Sequence, residues 1–406
     1  MLKEHPGESA AIGARAIPSG IWALGFVSLL MDSASELVHS LLPVFLVTIL
    51  GASTLTVGLI EGLSEATVAF TRLFSGAFSD YLGKRKILAV AGYALAALSK
   101  PLFPLAASVS WVFAARFVDR LGKGIRGAPR DALIGDIAPP RLRGACFGLR
   151  QSLDTVGALL GPLLAMLFMV LLANDIRAVF WIAVVPALAA VVLLVAMVKE
   201  PACVPTSGGS TTGRHWRGAD LRRAGTAYWL LLGIAVVLHL ARFSEAFLIL
   251  RAAAFGHSLA LLPLVLAAMN LAYAVTAYPV GWLSDRIGRH SLLLVGSAVL
   301  IAADAALALA NGLGPVLLGA VLWGLHMGLT QGLLAALVTD STAPAIRGTA
   351  FGVFHMATGL ALLSASLLAG WLWDSQGPDI VFWVGMGFAS LAFIGLVIAP
   401  HGKGAG

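Results

Sequence analysis

Eight carboxylates of this chain are embedded in apolar sequence: Asp32, Glu36, Glu61, Glu65, Asp119, Asp154, Glu245 and Asp304. A desolvated carboxylate that alternates between charged and neutral forms can carry a proton, one fixed beside Lys or Arg can only brace helices, and several beside His can hold a divalent cation. Spacing organises them. Asp32, Glu36 and His39 follow i, i+4, i+7, and Glu61, Glu65 and Arg72 follow i, i+4, i+11, each set on one face of a helix. Arg116, Arg120, Lys123 and Arg130 form a basic stripe with Asp119 at its edge, and Arg150 and Asp154 are an i, i+4 pair of opposite sign beside Gln151. His239, Arg242, Glu245, Asn270, His326, Gln331 and His355 continue the pattern more sparsely. Asp32, Glu36, Glu61, Glu65 and Asp154 are the expected proton carriers. His39, Arg72, Arg116, Arg120, Arg150, Gln151, His239, Arg242, Glu245, Asn270, His326 and His355 are the expected cavity residues. Asp304 best fits a fixed ion pair. A site for a transported metal is the alternative use of Asp32, Glu36, His39, His239 and Glu245, but no His-rich loop or close Cys pair supports it.

The elements holding these groups must be membrane helices. The chain has 406 residues, 59% of them hydrophobic and only 12% charged, with a mean hydropathy of +0.91. An ordinary soluble domain is about 25% charged, so this chain cannot coat a water-facing surface. Its net charge of +7 lies in short clusters between apolar stretches, which suits membrane topology and not nucleic-acid binding. A β-barrel would alternate apolar and polar residues, and this sequence does not. At roughly 20 apolar residues per span plus a connection, the length accommodates about twelve helices. Six are expected between residues 20 and 198 and six between 226 and 399. The Ser/Gly/Thr-rich stretch 199–225 reads as a cytoplasmic linker between halves 1–198 and 226–406. Asp32, Ser33, Ser35 and Glu36 interrupt the first apolar segment, so it does not read as a cleaved signal peptide. Cys146 and Cys203 give no disulfide framework.

The halves repeat. Gly76-Ala-Phe-Ser-Asp80-Tyr-Leu-Gly83-Lys84-Arg85 matches Gly281-Trp-Leu-Ser-Asp285-Arg-Ile-Gly288-Arg289-His290, and Asp136, Arg143, Gly144 and Gly148 align with Asp340, Arg347, Gly348 and Gly352. With both termini cytoplasmic, sixteen Lys and Arg fall on the cytoplasmic side against only Arg177 and Arg251 opposite, the bias of a multi-pass inner-membrane protein.

The duplicated Gly-x-x-Ser-Asp-x-x-Gly loop resembles the signature of the major facilitator superfamily, as do Arg116 with Gly122 and Gly124, and Gly157-x-x-x-Gly161-Pro162. The last is similar to a pattern of the family's antiporters. The resemblance implies an all-α fold of twelve transmembrane helices in two pseudo-symmetric six-helix halves that work by alternating access. It also implies a cytoplasmic gate built from Gly76, Asp80, Gly83, Arg85, Asp136, Arg143, Gly281, Asp285, Gly288, Arg289, Asp340 and Arg347.

The resulting expectation is a monomeric, proton-coupled secondary transporter of a small polar or amphipathic solute in a bacterial inner membrane, working as an exporter. The alternatives are an importer of an organic anion or metal chelate, a divalent-metal exporter, and a sensor that keeps the fold. No enzyme motif is present, and neither a cofactor nor ATP is expected, since the chain has no Gly-x-x-x-x-Gly-Lys-Ser/Thr loop.

Overall fold

The computed structural model describes residues 17–82, 84–139, 142–200, 225–342 and 346–398. The chain forms helices throughout, numbered here by span: α1 (Ser19–His39, prolonged by Leu42–Val44 and the π-turn Phe45–Ile49), α2 (Thr54–Leu82), α3 (Arg85–Ser99), α4 (Val109–Ile137), α5 (Arg143–Leu171), α6 (Ile176–Met197, with a bend at Ala183), α7 (Thr226–Ala253), α8 (Leu264–Ile287), α9 (Arg289–Ala308), α10 (Leu313–Asp340), α11 (Arg347–Gln376) and α12 (Pro378–Ile398). Among the described residues, nine helices are long and apolar enough to cross a membrane on length and composition alone. The other three are α2, α3 and α4. α3 is short, and α4 carries Arg116, Asp119, Arg120, Lys123, Arg126, Arg130 and Asp131 along its length. α7 is broken: helix Thr226–Ala241 ends, residues 242–245 are not helical, and Ala246–Ala253 resumes.

Two packed units result. The first holds the described residues up to His39 and from Phe70 to 200, and the second holds Ser40–Ala69 together with the described residues from 225 onward. The outer part of α1 and the first half of α2 therefore pack with second-half helices.

Glycine sets how closely the helices approach. Lipid is as apolar as leucine, so helices in it gain little from burying apolar area and depend on close packing of small residues. Gly157 lies against the backbone of Leu29, and Gly161 against Ser33, Glu36 and Leu37, which seats α5 on α1. Gly92 and Gly122 meet reciprocally between α3 and α4. In the second unit Gly324 and Gly328 seat α10 on α8, while Gly296 and Gly319 seat α9 on α10. Large apolar side chains such as Val170, Leu171, Val185, Val192, Leu309 and Ile398 point outward, as they do in helices solvated by lipid.

Arg177 and Arg251, the two cations on the sparse side of the Lys/Arg distribution, both satisfy backbone carbonyls. Arg177 donates to Pro104 O at 2.8 Å. Arg251, buried, donates to the carbonyls of Leu307, Ala308 and Ala310 at 3.0, 3.3 and 3.0 Å and pairs with Asp379 at 2.5 Å. It thereby caps the end of α9, whose last carbonyls have no helical partner.

The α1–α5 contact yields a direct expectation. A methyl at Gly161 would stand 2.6 Å from Glu36 Cβ and 2.8 Å from Ser33 O and Leu37 N. Gly161→Ala therefore costs about 1–3 kcal/mol of stability by overpacking. Gly148→Ala, on the same helix with nothing within 4 Å, is neutral or stabilising. Thermal unfolding of the purified variants in detergent checks the contrast, and equal melting temperatures would remove the glycine seam as the determinant of this contact.

Candidate functional site

α4 runs through the first unit with polar groups on every turn. Ser108 caps its start by accepting from Trp111 N–H at 3.3 Å. Its glycines let α3 approach, while its Arg and Asp side chains reach α1, α2 and α5. Two clusters form, and they differ in tightness.

The first is closed. Lys100 Nζ lies 2.7 Å from Asp119 Oδ1 and donates to Ser35 Oγ at 3.0 Å. Ser99 Oγ is 3.4 Å and Arg116 Nη1 3.9 Å from the same carboxylate. Lys100, Asp119 and Arg116 are each at most 2% exposed. Arg120, one residue beyond Asp119, is equally buried.

The second is looser and joins acids and arginines of four helices. Asp32 on α1 lies 3.6 Å from Arg126, whose guanidinium stacks over Tyr93 at 4.7 Å from the ring centre. Asp154 on α5 lies 3.9 Å from Arg130 and 3.7 Å from Arg150, and Asp131 lies 3.1 Å from Arg130, 3.3 Å from Arg72 and 4.0 Å from Arg150. Asp32 and Asp154 thus belong to one electrostatic network, each against an α4 arginine. Glu36 sits beside His39 at 3.6 Å, and Gln151 accepts from Arg150 at 2.9 Å. Separations of 3.6–4.0 Å are Coulombic contacts rather than hydrogen bonds, and Arg130 and Arg150 each lie near two acids, Asp131 and Asp154.

The remaining expected residues are distributed elsewhere. Glu61 is buried and Glu65 half-buried on the part of α2 that belongs to the second unit, flanked by Gly58 and Gly62, which rest on Ser366 and Leu363 of α11. Arg72, expected on their face, lies in the first unit with Asp131. His239 Nδ1 bonds to Ala235 O at 2.7 Å. Arg242 and Glu245 lie in the break of α7. Asn270 is buried on α8. His326, fully buried, bonds through Nδ1 to Gly296 O at 2.8 Å and so ties α10 to α9. His355 stacks on Phe351 at 6.0 Å. Among the described residues, no three His, Cys, Asp or Glu side chains gather to hold a metal.

At the loop motifs, Asp136 pairs with Arg85 and Asp340 with Arg289. The acid of each half bonds to the loop-motif arginine of its own half. Arg85 and Arg289 each open a helix, and Asp136 and Asp340 lie at the ends of α4 and α10, so each pair joins two consecutive spans. Gly288 adopts φ +83° between α8 and α9, a conformation that favours glycine. Gly76 meets Ala128 of α4 in ordinary contact. Gly83, Gly281 and the side chains of Asp80, Asp285 and Arg347 lie outside the described residues, as does most of the expected linker.

Sequence reasoning missed Lys100, Arg126, Asp131 and the Arg251–Asp379 pair. Arg126 was recoverable, since it continues the α4 stripe three residues after Lys123. Asp131 follows Arg130 directly and looks like a local partner, while its contacts to Arg72 and Arg150 depend on packing.

The sequence model of the Major Facilitator Superfamily matches residues 21–250 and 231–404. An uncharacterised MFS-type transporter of Methanocaldococcus jannaschii is 34% identical over 379 residues, covering 91% of this chain and 92% of that one. A Mycobacterium tuberculosis protein is 28% identical, covering 94% and 93%. The fold is similar to that of the nucleoside transporter NupG, with a TM-score of 0.78 at 13% identity over 93% of this chain and 99% of that one. It is similar also to the human organic anion transporter MFSD10, with a TM-score of 0.63 at 19% identity over 93% and 98%. Twelve helices, a duplicated loop motif braced by the same Arg–Asp pair in each half, and a family match over nearly the whole length place this multi-pass membrane chain in the major facilitator superfamily, whose members move small molecules across the bilayer.

Proposed function

We propose that the chain is a proton-coupled secondary transporter that works by alternating access, and that the Asp32–Asp154 pair is its proton site. The observation that carries this reading is the placement of two membrane-embedded carboxyls, Asp32 and Asp154, in one network with Arg126, Arg130 and Arg150. Two carboxylates in one buried network repel each other, and a proton bound at the pair relieves that repulsion. Loss of that proton adds a negative charge, which draws the arginines inward. An anionic solute offers the arginines the same charge and competes for them. Proton and solute thereby use one set of cations, which is a minimal device for coupling.

The cations favour an anionic or zwitterionic solute. In the first unit Arg72, Lys100, Arg116, Arg120, Lys123, Arg126, Arg130 and Arg150 stand against Asp32, Glu36, Asp119, Asp131 and Asp154, an excess of three positive charges. Glu36 with His39 is a second proton-carrying position. Export is the favoured direction, on the strength of the antiporter-like Gly157-x-x-x-Gly161-Pro162 pattern. An importer of an organic anion is the second reading, favoured by the same excess charge. We assign the protein to the inner membrane of a bacterium, as a monomer with halves 1–198 and 226–406 and both termini cytoplasmic.

A thermal-shift screen of organic anions, zwitterions, cationic drugs and metals identifies the solute class. A ligand at 100 times its Kd adds about 2.7 kcal/mol, and stabilisation by anions or zwitterions is expected. That solute is then followed in liposomes with an imposed pH gradient. Wild type accumulates it, whereas Asp154→Asn and Asp32→Asn still exchange it at equilibrium but lose gradient-driven accumulation. Accumulation at the wild-type level in both variants would remove the pair from the mechanism.

The Arg85–Asp136 and Arg289–Asp340 pairs are partly exposed and sit within one half each, so each contributes less than about 1 kcal/mol to stability. We assign them the role of bracing the cytoplasmic ends of consecutive spans. Arg85→Ala and Arg289→Ala therefore melt close to wild type but raise the labelling of cysteines placed at those helix ends, in a background with Cys146 and Cys203 replaced. Unchanged labelling in both would leave the arginines as topological anchors only.

A further inference from the structure

The second unit holds one acid that the reading above does not use. Asp304 on α9 is 0% exposed, and neither carboxyl oxygen has a hydrogen-bond partner or an ion pair. It faces Gly385 of α12: a methyl there would stand 3.0 Å from Asp304 Oδ2, 3.1 Å from the Phe243 ring and 3.4 Å from the carbonyl oxygen of Ala241. Ala241 ends the first segment of the broken helix α7, and Phe243 lies in the break. Phe243 packs on Phe247, Trp323 and Phe382 at 5.7, 5.2 and 5.4 Å between ring centres, an aromatic cluster at the break.

Titratable and charged groups on the surrounding elements are engaged elsewhere or lie apart. His326 of α10 bonds to Gly296 O, Asp379 of α12 pairs with Arg251, and His239 of α7 bonds to Ala235 O. Arg242 in the break of α7 and Tyr273 of α8 form no hydrogen bond or ion pair with Asp304. An ionised carboxylate in this setting would carry the full desolvation cost with no cation to offset it, and the nearby carbonyl dipole would repel it. A protonated carboxyl carries no charge and avoids that cost. Carbonyls at the end of a half-helix serve ion and proton sites in other broken transmembrane helices. A sodium ion would need more oxygen ligands than Asp304 and Ala241 supply.

We propose that Asp304 is a proton-binding site of the second unit, occupied by one proton from water in this conformation, and that the proton exchanges with solvent only when the break in α7 opens. The site lies in the other unit from Asp32 and Asp154 and does not rest on the reading of that pair.

The test uses the full chain in phosphatidylcholine liposomes, with the proton itself as the probe and infrared spectroscopy as the readout. At neutral pH the wild-type spectrum contains a carbonyl stretch of a protonated carboxyl that Asp304→Asn removes. On transfer to deuterated water this band shifts slowly, and Phe243→Ala, which loosens the ring cluster at the break, speeds the shift several-fold. If Asp304→Asn does not fold, Gly385→Ala serves in its place, because its methyl against Oδ2 moves the band without deleting the acid. The proposal is overturned if Asp304→Asn removes no protonated-carboxyl band at neutral pH, or if the band exchanges as fast as an exposed carboxyl. It is likewise overturned if Phe243→Ala leaves the exchange rate unchanged, or if Gly385→Ala leaves the band where it was.

Discussion

An uncompensated charge in hydrocarbon costs several kcal/mol, and this constraint shapes the first unit more than any other. α4 carries more cations than a lone helix could take into a bilayer. It is tolerable there only because α1 and α5 bring Asp32 and Asp154 within a few ångströms of its arginines, and its own Asp119 and Asp131 lie beside the others. That closeness depends on glycine. Gly122 against Gly92, and Gly157 and Gly161 against α1, bring the helix axes near enough for short acids to reach arginines. The glycine seams and the ionic network are therefore one device, since widening a seam would lengthen Coulombic contacts already at 3.6–4.0 Å.

Much of this was legible in the sequence. All twelve spans, the repeat and the stripe on α4 follow from periodicity, because hydrocarbon thickness sets helix length and an embedded charge stands out against apolar neighbours. What stayed hidden were partner choices. Asp136 and Arg143 lie seven residues apart across a turn and look like a pair, yet α3 begins beside the end of α4 and puts Arg85 nearer. Asp304 has the composition of a structural ion pair, and no local pattern reveals that the helices packed around it bring no cation. Arg72 shares a helical stripe with Glu61 and Glu65, but α2 divides between the two packed units at Ala69 and Phe70, so that stripe is not one site.

Tight and loose pairs serve different ends. Lys100 and Asp119, at 2.7 Å with serines completing the shell, form a contact whose loss would strand a buried charge, so it locks α3 to α4. Asp131 contacts three arginines at 3.1–4.0 Å. Its contacts to Arg130 and Arg72 are hydrogen bonds, whereas Arg150 lies at Coulombic distance from both Asp131 and Asp154 and can change partners at low cost. A site that must bind and release a charged species needs such near-degeneracy, because only a differential contact shifts a conformational balance.

The repeat shows what the two halves were free to change. Both keep an arginine at the start of the third span bonded to an aspartate at the end of the fourth, although the first half carries more embedded charge than the second. Where the first half binds charge with arginines, the second has a broken helix and, near the break, the solitary carboxyl of Asp304. A fixed cation can offset a carboxylate without protonation, whereas a buried carboxyl with no cation beside it avoids the charge only by keeping its proton. The two halves thus meet the same desolvation constraint in opposite ways, the first with counter-charge and the second with neutrality. Only the neutral arrangement makes the state of the acid depend directly on water reaching it, which ties its titration to motion at the break in α7.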